Sequence, residues 1–299
     1  MSLAATRGNM QIAGFSSVKA KLSTSTEFVG FPLAVIRDGM IKWETKEQEN
    51  AQARNIPYDG MLTAEFKVMA TKTQANLITL LPNFINTDTD WQLTAKDTGI
   101  HFDSSLITAA PYFGCQWKLV ADSGRNQDRH VQFNLDKALT LAEFDTIRGT
   151  VSSSTPDTNN LDNIASLALT DVVPAGIRKV EFGEGSYSEV ASNIKNAKFV
   201  AQTVGEPDDE GRSRHTAIKI DLSFDLMQAS DTELDLLSTY GGYDMDWKVT
   251  FADGAVCTCD SLLGVGLGYD LSGNLSKHSI IPMRASGIIL SSAWAALWS

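Results

Sequence analysis

Cysteine, proline and positive charge are all scarce in this 299-residue sequence. Three cysteines, Cys115, Cys257 and Cys259, are too few for a disulfide-stapled fold, and they indicate free thiols in a reducing compartment. The first residues lack the basic start and unbroken apolar core of a signal peptide. The longest apolar stretch, GIILSSAWAALWS, is too short and too interrupted to span a bilayer. We therefore expect a soluble protein made in the cytoplasm.

Acidic residues outnumber basic ones, 36 to 25, which gives a formal net charge of −11. Proteins that bind nucleic acids neutralise phosphates with clustered lysine and arginine, so this balance argues against a surface that grips DNA or RNA. It is compatible with a surface that must not adhere to DNA. The chain is long enough for two core-forming domains of about 150 residues.

The sequence contains no pattern of reactive side chains with a catalytic or metal-binding spacing. None of the four histidines has such a spacing, and Cys257 and Cys259 share one strand face without two further ligands nearby. GVGLG lacks the helix that follows a dinucleotide-binding loop, and the acidic run at 206–210 does not follow a calcium-binding loop. We expect no enzyme activity, no cofactor and no metal; a glycosidase with two carboxylates in a β-sandwich stays open.

A divergent internal repeat organises the chain. DWQLTAKDTG, which begins with Asp90 and Trp91, returns as DWKVTFADGA, which begins with Asp246 and Trp247, at an offset of 156. Over Ala64–Gly99 the ungapped comparison gives 7 identities in 36 positions. The sequence favours a tandem duplication, and the alternative is shared β-meander patterning in one large domain.

The repeat is matched with gaps outside this segment. GMIKWE at 39–44 resembles GIRKVE at 176–181, and ARNI at 53–56 resembles ASNI at 191–194. The ungapped segment itself places Phe66 opposite Leu222. The offset rises between these matches, which predicts about 18 additional residues in the second copy. We expect these residues to form a long hairpin insertion near 195–219.

Most of each half alternates apolar and polar residues with the period of a half-buried strand, as in AEFKVMA and IKIDLSFDL. TQANLITLL and SDTELDLLSTYGG predict one short helix in each half, and a capping box of Thr140 with Glu143 predicts another at LAEFDTIRG. The polar segment 151–165 predicts a linker. The chain is thus predicted to be mainly β, with two tandem β-sandwich or barrel-segment domains, 1–150 and 166–299, each with one or two short helices.

In that fold the repeated Asp-Trp pair has a structural interpretation. The aspartate follows a turn, and the tryptophan begins a strand and packs over the short helix. The alternative is a tryptophan that stacks on a ligand.

Two fused, mostly β units, each with a short helix, resemble a tail tube protein of a long-tailed, siphovirus-like bacteriophage, of the kind with two tube domains in one chain. The paired DWQLTAKD and DWKVTFAD strands, the paired helices before them and the insertion near 195–219 carry the resemblance. It implies a structural virion protein of the tail, assembled in the host cytoplasm. It also implies β-domains that form rings, with the rings stacked into a hollow tube through which DNA passes.

The resemblance also implies the partners. Three two-domain chains would close a ring with pseudo-sixfold symmetry, so the main partner is the chain itself as a homotrimer. Other tail proteins, such as the tape measure, terminator and distal tail proteins, are further partners. Specific nucleic-acid binding and membrane binding are not expected.

The tip of the predicted hairpin insertion is bipolar. Its charged residues are Glu206, Asp208, Asp209, Glu210, Arg212 and Arg214. We expect this tip to contact a neighbouring ring, with each exposed ion pair contributing about 0.2–1 kcal/mol. A surface loop without a partner is the alternative.

Two other functions stay open at this point. One is another structural virion protein, such as a tail terminator, neck or head-decoration protein. The other is a carbohydrate-binding β-sandwich module, in which exposed tryptophan and tyrosine side chains would stack on sugars.

Overall fold

The computed structural model has a mainly β chain, as the sequence predicts. The residues that it describes are 10–21, 28–31, 35–49, 55–70, 77–78, 81–84, 89–96, 100–106, 113–123, 128–150, 172–183, 188–189, 194–207, 213–227, 244–267 and 280–299. Strands alternate buried and half-buried residues along most of their lengths, which is the pattern that a sheet with one face on a core requires. Among the described residues, no helix is long and apolar enough to cross a membrane.

The chain divides into two compact units that are not contiguous in sequence. The first consists of Met1–Trp117, Gln132–Asp171 and Gly205–His215, and the second consists of Lys118–Val131, Val172–Val204 and Thr216–Ser299. The linker expected at 151–165 lies outside the described residues, so that boundary stays a prediction.

The strands of the first half are joined in two sheets. They are β1 (Met10–Ala13), β2 (Phe15–Lys21), β3 (Val29–Gly30), β4 (Ile36–Glu49), β5 (Asn55–Met69), β6 (Asp90–Ala95), β7 (Ile100–Asp103), β8 (Gly114–Asp122), β9 (Arg129–Thr140) and β10 (Arg148–Thr150). One sheet has the order β10-β7-β6-β2-β3, and the other contains β1, β4, β5, β9 and β8 as successive neighbours.

Short helical elements accompany these strands, and three of them have both ends among the described residues. They are the 3₁₀ helices Leu81–Phe84 and Ser104–Leu106 and the α-helix α1 (Leu141–Ile147). The predicted capping box of α1 is confirmed, because the Thr140 hydroxyl accepts from the Glu143 N–H and the Glu143 carboxylate accepts from the Thr140 N–H. Of the helix predicted at TQANLITLL, Leu77 and Ile78 are helical and buried; 73–76 and 79–80 lie outside the described residues.

The core of the first unit is rich in aromatic side chains. Phe31, Phe66, Phe84, Trp91 and Phe133 form a cluster with ring centroids 5.1–6.2 Å apart. Phe66, Trp91 and Phe133 come from three strands, Phe84 comes from the 3₁₀ helix at Leu81–Phe84, and Phe31 directly follows β3, so the cluster ties both sheets of the unit to one core.

The strands of the second half are paired in a single succession. They are β11 (Ile177–Gly183), β12 (Ser188–Glu189), β13 (Ile194–Pro207), β14 (Ser213–Met227), β15 (Asp244–Phe251), β16 (Val256–Leu267) and β17 (Ile280–Leu290), followed by the 3₁₀ helix Ser291–Leu297. Their order is β13-β14-β17-β16-β15-β11-β12. The helix predicted at SDTELDLLSTYGG lies outside the described residues.

The two halves use the same strand pairings. β2 pairs antiparallel with β6, with a register shift between Phe15 and Ser17, and β11 pairs antiparallel with β15, with a register shift between Ile177 and Lys179. Each of these pairs carries a two-residue edge strand, β3 on β2 and β12 on β11. The bulge therefore recurs at the same place in both pairs.

Each half also contains a long hairpin of matching dimensions. β4 and β5 have 14 and 15 residues, and so do β13 and β14. The third residue of the first strand has a positive φ of 54° in both hairpins, at Asp38 and at Asn196. Aspartate and asparagine tolerate this left-handed conformation better than other side chains. Asp38 contacts Lys67, and Asn196 donates to Asp225, at 2.7 Å in both cases.

These hairpins differ from the expectation of an insertion near 195–219. A hairpin does lie there, but β4–β5 has the same length, and the two correspond at a constant offset of 158. The segment at 39–44 lies on β4, whereas the segment at 176–181 overlaps β11, which has the pairing of β2. The two segments therefore have similar alternation but different places in the sheets.

Candidate assembly site

The predicted contact residues at the hairpin tip lie mostly outside the described residues. Asp208, Asp209, Glu210 and Arg212 are in this group. Glu206 lies near the end of β13, and Arg214 is the second residue of β14. The structure thus places the two strands that would carry the tip, and the role of the tip stays a prediction.

Asp90 and Trp91 both contact other residues of the fold. The Asp90 carboxylate accepts from the Ser104 hydroxyl at 3.0 Å and lies 3.1 Å from the Lys21 ammonium group. The backbone N–H of Trp91 donates to the Ser104 hydroxyl at 2.9 Å. The Trp91 indole is fully buried, and its ring centroid lies 5.7 Å from that of Phe84. Trp91 therefore packs against the 3₁₀ helix Leu81–Phe84, and its packing over the helix predicted at TQANLITLL stays a prediction.

The second Asp-Trp pair lies within the corresponding strand, β15, which begins two residues earlier at Asp244. Trp247 is fully buried, with ring centroids 5.4 Å from Phe182 and 6.0 Å from Phe224. In the strand register, Asp246 lies opposite Gly183, as Asp90 lies opposite Lys21. Neither tryptophan presents a face to solvent, so neither can stack on a ligand.

The outer edge of β4 is covered by the short strand β1. Met10–Ala13 pair antiparallel with Met40–Trp43. No residue of β1 is buried: Met10 and Ile12 are half-buried, and Gln11 and Ala13 are exposed. Gly14, with a φ of 81°, follows β1 and donates to the Gly39 carbonyl at 2.7 Å. β1 is therefore held to β4 mainly through its backbone.

The outer edge of β13 is covered by the end of β8, within the second unit. Lys118–Asp122 pair antiparallel with Lys198–Gln202. Leu119 and Ala121 are fully buried in this pairing. The Ala197 N–H donates to the Ser123 hydroxyl at 2.8 Å, and the Ser123 N–H donates to the Ala197 carbonyl at 2.9 Å. β8 is therefore held by both backbone and side chains.

The half-buried face of the hairpin sheets carries charges of both signs. Lys42 lies 2.5 Å from Glu44 in the first half, and Lys219 lies 3.2 Å from Asp221 in the second. On the first sheet this face contains a groove of about 330 Å³, lined in part by Met40, Lys42, Thr63, Glu65, Asn134 and Asp136. Paired charges of this kind do not produce the lysine and arginine excess of a phosphate-binding surface.

A buried ion pair fixes the beginning of β9 in the second unit. Both terminal nitrogens of Arg129 donate to the two carboxylate oxygens of Asp253, and the guanidinium group lies 5.0 Å from the centre of the Phe251 ring. Arg129 is fully buried. Burial lowers the pKa of Arg129, and the attraction and hydrogen bonding of Asp253 oppose that shift. The sequence alone does not reveal this pair, because its partners are 124 residues apart.

The thiols are positioned as core residues. All three cysteines are free and buried, and the sulfurs of Cys257 and Cys259 are 3.8 Å apart. Burial raises the pKa of the Cys115 and Cys257 thiols, so both are held as thiols rather than thiolates. Within the described part of the chain, no group of three or more histidine, cysteine, aspartate or glutamate residues could hold a metal ion.

Comparison with known proteins gives no match: no protein-family model matches the sequence, and no curated protein matches it.

Proposed function

We propose that the chain is a structural virion protein that polymerises as stacked rings and forms the hollow tail tube of a long-tailed bacteriophage. The observation that carries the proposal is the presence of two long hairpins with the same dimensions and the same backbone irregularity. A chain that supplies two similar building blocks can close a ring with three copies, with pseudo-sixfold symmetry.

The duplication is the first part of this proposal. The recurring bulges in β2·β6 and β11·β15 support it. A second support is the backbone pairing that ends each half of the chain. Arg148 of β10 pairs with Phe102, and Trp298 forms a bridge with Cys257 at the corresponding point of the second half. Each of these residues follows directly on a helical element, α1 or the 3₁₀ helix Ser291–Leu297. A single domain with generic alternation would not repeat a bulge, a left-handed residue and a closing bridge in the same order.

Ring formation follows from the sheet edges. An exposed strand edge pairs readily with another chain unless it is covered, and closing the sheets into a ring removes such edges. β13 already receives a strand along Lys198–Gln202. The same type of pairing, repeated between chains, would connect successive hairpins around a ring.

The surface charges are consistent with passage of DNA rather than with its binding. The net charge is −11, and Lys42 and Lys219 on the half-buried face each lie beside a carboxylate. A lumen built from such a face would offer phosphates few unpaired cations, so DNA would move through it without being held.

Contact between rings is assigned in this proposal to the tip of the β13–β14 hairpin, Glu206–Arg214. The test is to delete Glu206–Arg212 and bridge the strands with Gly-Ser. We expect rings that no longer stack. Deletion of Gln48–Arg54, the corresponding tip of the β4–β5 hairpin, is the matched control and should leave stacking intact, because that tip lacks the acidic run. Normal tubes from the first variant would contradict the assignment.

A carbohydrate-binding module is less well supported. The sequence has six tryptophans, of which Trp43, Trp91, Trp117, Trp247 and Trp294 are buried. Trp298 is half-buried and stacks on Phe251. A sugar-binding platform needs an exposed aromatic face, and these side chains do not provide one.

The central experiment is negative-stain electron microscopy of the purified protein, combined with a mass measurement of soluble rings. We expect rings or tubes, and a ring mass of three chains. Closed shells would favour a head-decoration protein, and monomers under all assembly conditions would contradict the proposal. A mass of six chains in a single ring would contradict the two-block arrangement.

A further inference from the structure

Four apolar residues lie close together on the face of the second hairpin sheet that points away from the core. They are Val204 of β13, Ala217 of β14, and Ile288 and Leu290 of β17, and we call them the apolar patch. Ile288 and Leu290 are 64% and 67% exposed, and Val204 is 36% exposed. Leu290 lies opposite Ala217 in the β14·β17 register. Isolated apolar side chains are ordinary on a protein surface, whereas adjacent ones mark a place where another molecule binds.

A second offset relates the last elements of the two halves. The buried Phe144 and Ile147 of α1 lie 150 residues before the buried Trp294 and Leu297 of the 3₁₀ helix Ser291–Leu297. β9 and α1 therefore correspond to β17 and this 3₁₀ helix, just as the offset of 158 relates the two hairpins.

The first half has other residue types at the positions of the patch. The offset of 158 places Val204 and Ala217 at 46 and 59. The offset of 150 places Ile288 and Leu290 at 138 and 140. The four counterparts are Lys46, Asp59, Ala138 and Thr140. The first two of them lie opposite each other in β4·β5 and carry opposite charges, where the patch has valine and alanine. The fold therefore does not require apolar side chains at these exposed positions, and the second half has acquired them for another reason.

The first unit contains a groove on the corresponding face of its own hairpin sheet. This is the groove of about 330 Å³ described above. Met40, Ala64 and Leu135 supply an apolar part of its lining, and Glu65 and Asp136 place two carboxylates in it. Its volume is within the range of sites that enclose a small ligand, so two branched aliphatic side chains can enter it.

The charges beside the patch and in the groove are complementary. Arg284 is exposed on the same face of β17, four residues before Ile288, which is about 13 Å along a strand. Within the described part of the chain, neither Arg284 nor Glu65 has an ion-pair partner, whereas Lys42 in the groove already lies beside Glu44. The groove therefore offers a carboxylate to a cation that arrives with the patch.

We propose that the apolar patch of one chain docks in the groove of a second copy of this chain, with Ile288 and Leu290 in the groove and Arg284 beside Glu65. The contact joins two different surfaces, so it is heterologous. It is a contact between free chains and does not rest on the proposed function. In the tube proposed above, this face of the hairpin sheets would line the lumen, so the contact would open before a ring closes. Docking thus competes with ring assembly.

Replacing the patch by the residues of the first half tests the docking. Ile288→Ala with Leu290→Thr changes two exposed side chains, so the core stays intact. We expect the wild type to associate below the concentration at which rings form, and the variant to have a dissociation constant raised about tenfold or more. Leu106→Ser, at another apolar side chain that is 52% exposed, is the matched control and should leave association unchanged. Sedimentation velocity over a range of concentrations measures both.

An exchange of charges identifies the two surfaces. Arg284→Glu and Glu65→Arg should each weaken association, because each brings two like charges together. An equimolar mixture of the two variants restores a pair of opposite charges between different copies, so it should associate more tightly than either variant alone. Lys195→Glu, which reverses an exposed charge of β13 away from the patch, is the control, and mixing it with Glu65→Arg should restore nothing. A mixture of Arg284→Glu and Glu65→Arg that is no tighter than its components would overturn the pairing.

The outcomes separate this proposal from the proposed function. Rings that form from a wild type without any smaller associated species, or association that Ile288→Ala/Leu290→Thr leaves unchanged, would overturn the docking and leave the tail-tube function standing. Association that depends on the patch, without rings under any condition, would support the docking and contradict the tube. A wild type that stays monomeric under all conditions would overturn both. If both proposals hold, the patch variant forms rings at a lower protein concentration than the wild type.

Discussion

The ring of Phe66 meets the indole of Trp91 with centroids 6.0 Å apart and planes inclined by 63°. Phe224 and Trp247 repeat this relationship in the second unit, at 6.0 Å and 68°. Each pair joins the long second strand of a hairpin to the strand that contains the Asp-Trp pair, β6 or β15. The same two-ring contact therefore forms part of the core in each unit.

Removing either phenylalanine should destabilise its unit to a similar extent. Phe66→Ala and Phe224→Ala delete fully enclosed rings, and we expect each to cost about 3–5 kcal/mol of unfolding free energy. Urea unfolding followed by tryptophan fluorescence measures this. Ser223→Ala, on the opposite face of β14, is the control and should change little. A loss below about 1 kcal/mol for Phe224→Ala would mean that the cavity collapses or that the ring is not part of the core.

The left-handed residue at Asn196 predicts an unusual order of substitutions. Asn196→Gly and Asn196→Ala both lose the hydrogen bond to Asp225, so their difference isolates the backbone. Because φ is 54° there, glycine should be more stable than alanine by about 1–2 kcal/mol. Thermal or urea unfolding of the two variants measures the difference. Alanine as the more stable residue, which is normal within a strand, would contradict the positive φ.

The Arg129–Asp253 pair predicts a strongly non-additive pair of substitutions. Arg129→Met leaves the Asp253 carboxylate without its main cation, and we expect a loss of about 3–5 kcal/mol. Arg129→Met combined with Asp253→Leu should lose less than the sum of the single changes, since no unpaired charge remains. Lys219→Met, which breaks the exposed pair with Asp221, is the control, with an effect of about 0–1 kcal/mol. Additive losses would show that the two side chains do not interact.

Asp103 predicts a pH dependence of stability. Burial would raise its pKa, but hydrogen bonds from His101, Ser105 and Gln92 outweigh burial and hold the pKa below the ordinary value of 3.8. A carboxylate with a lowered pKa stabilises the folded state above its unfolded-state pKa, and this contribution is lost as the pH falls through the lower, folded-state pKa.

The test for Asp103 is a comparison with Asp103→Asn across pH. We expect the variant to be less stable by about 1–3 kcal/mol near pH 7, with the gap closing progressively below pH 4. Asp221→Asn, which changes a more exposed carboxylate, serves as the control. A gap that stays constant from pH 7 down to about pH 2 would show that the charge of Asp103 is not responsible.

The sequence predicted the strands well and their correspondence less well, for a physical reason. Side chains alternate with period two, so a shift of two residues keeps every apolar side chain on the same face. The ungapped comparison placed Phe66 opposite Leu222, whereas the hairpin offset and the contacts with Trp91 and Trp247 place it opposite Phe224. Alternation alone cannot detect such a shift.

The strand edges and the buried ion pair could not have been predicted in the same way. Met10–Ala13 is too short for its alternation to indicate a partner, and its pairing with β4 depends on distant residues. Arg129 and Asp253 are separated by 124 residues, and each is flanked by ordinary strand and turn residues. The positive φ at Asp38 and Asn196 was the better signal, because both residue types favour that conformation, but neither lies in a recognisable turn motif.

The contacts of Asp38 and Asn196 also restrict how the two halves can change over evolutionary time. In the first half the acid is Asp38 and its partner is Lys67; in the second the acid is Asp225 and its partner is Asn196. Two of the four single exchanges between corresponding positions, Lys67→Asp and Asn196→Asp, would place a carboxylate at both positions of a pair. The other two, Asp38→Asn and Asp225→Lys, would not, so the like-charge penalty falls on one position of each pair.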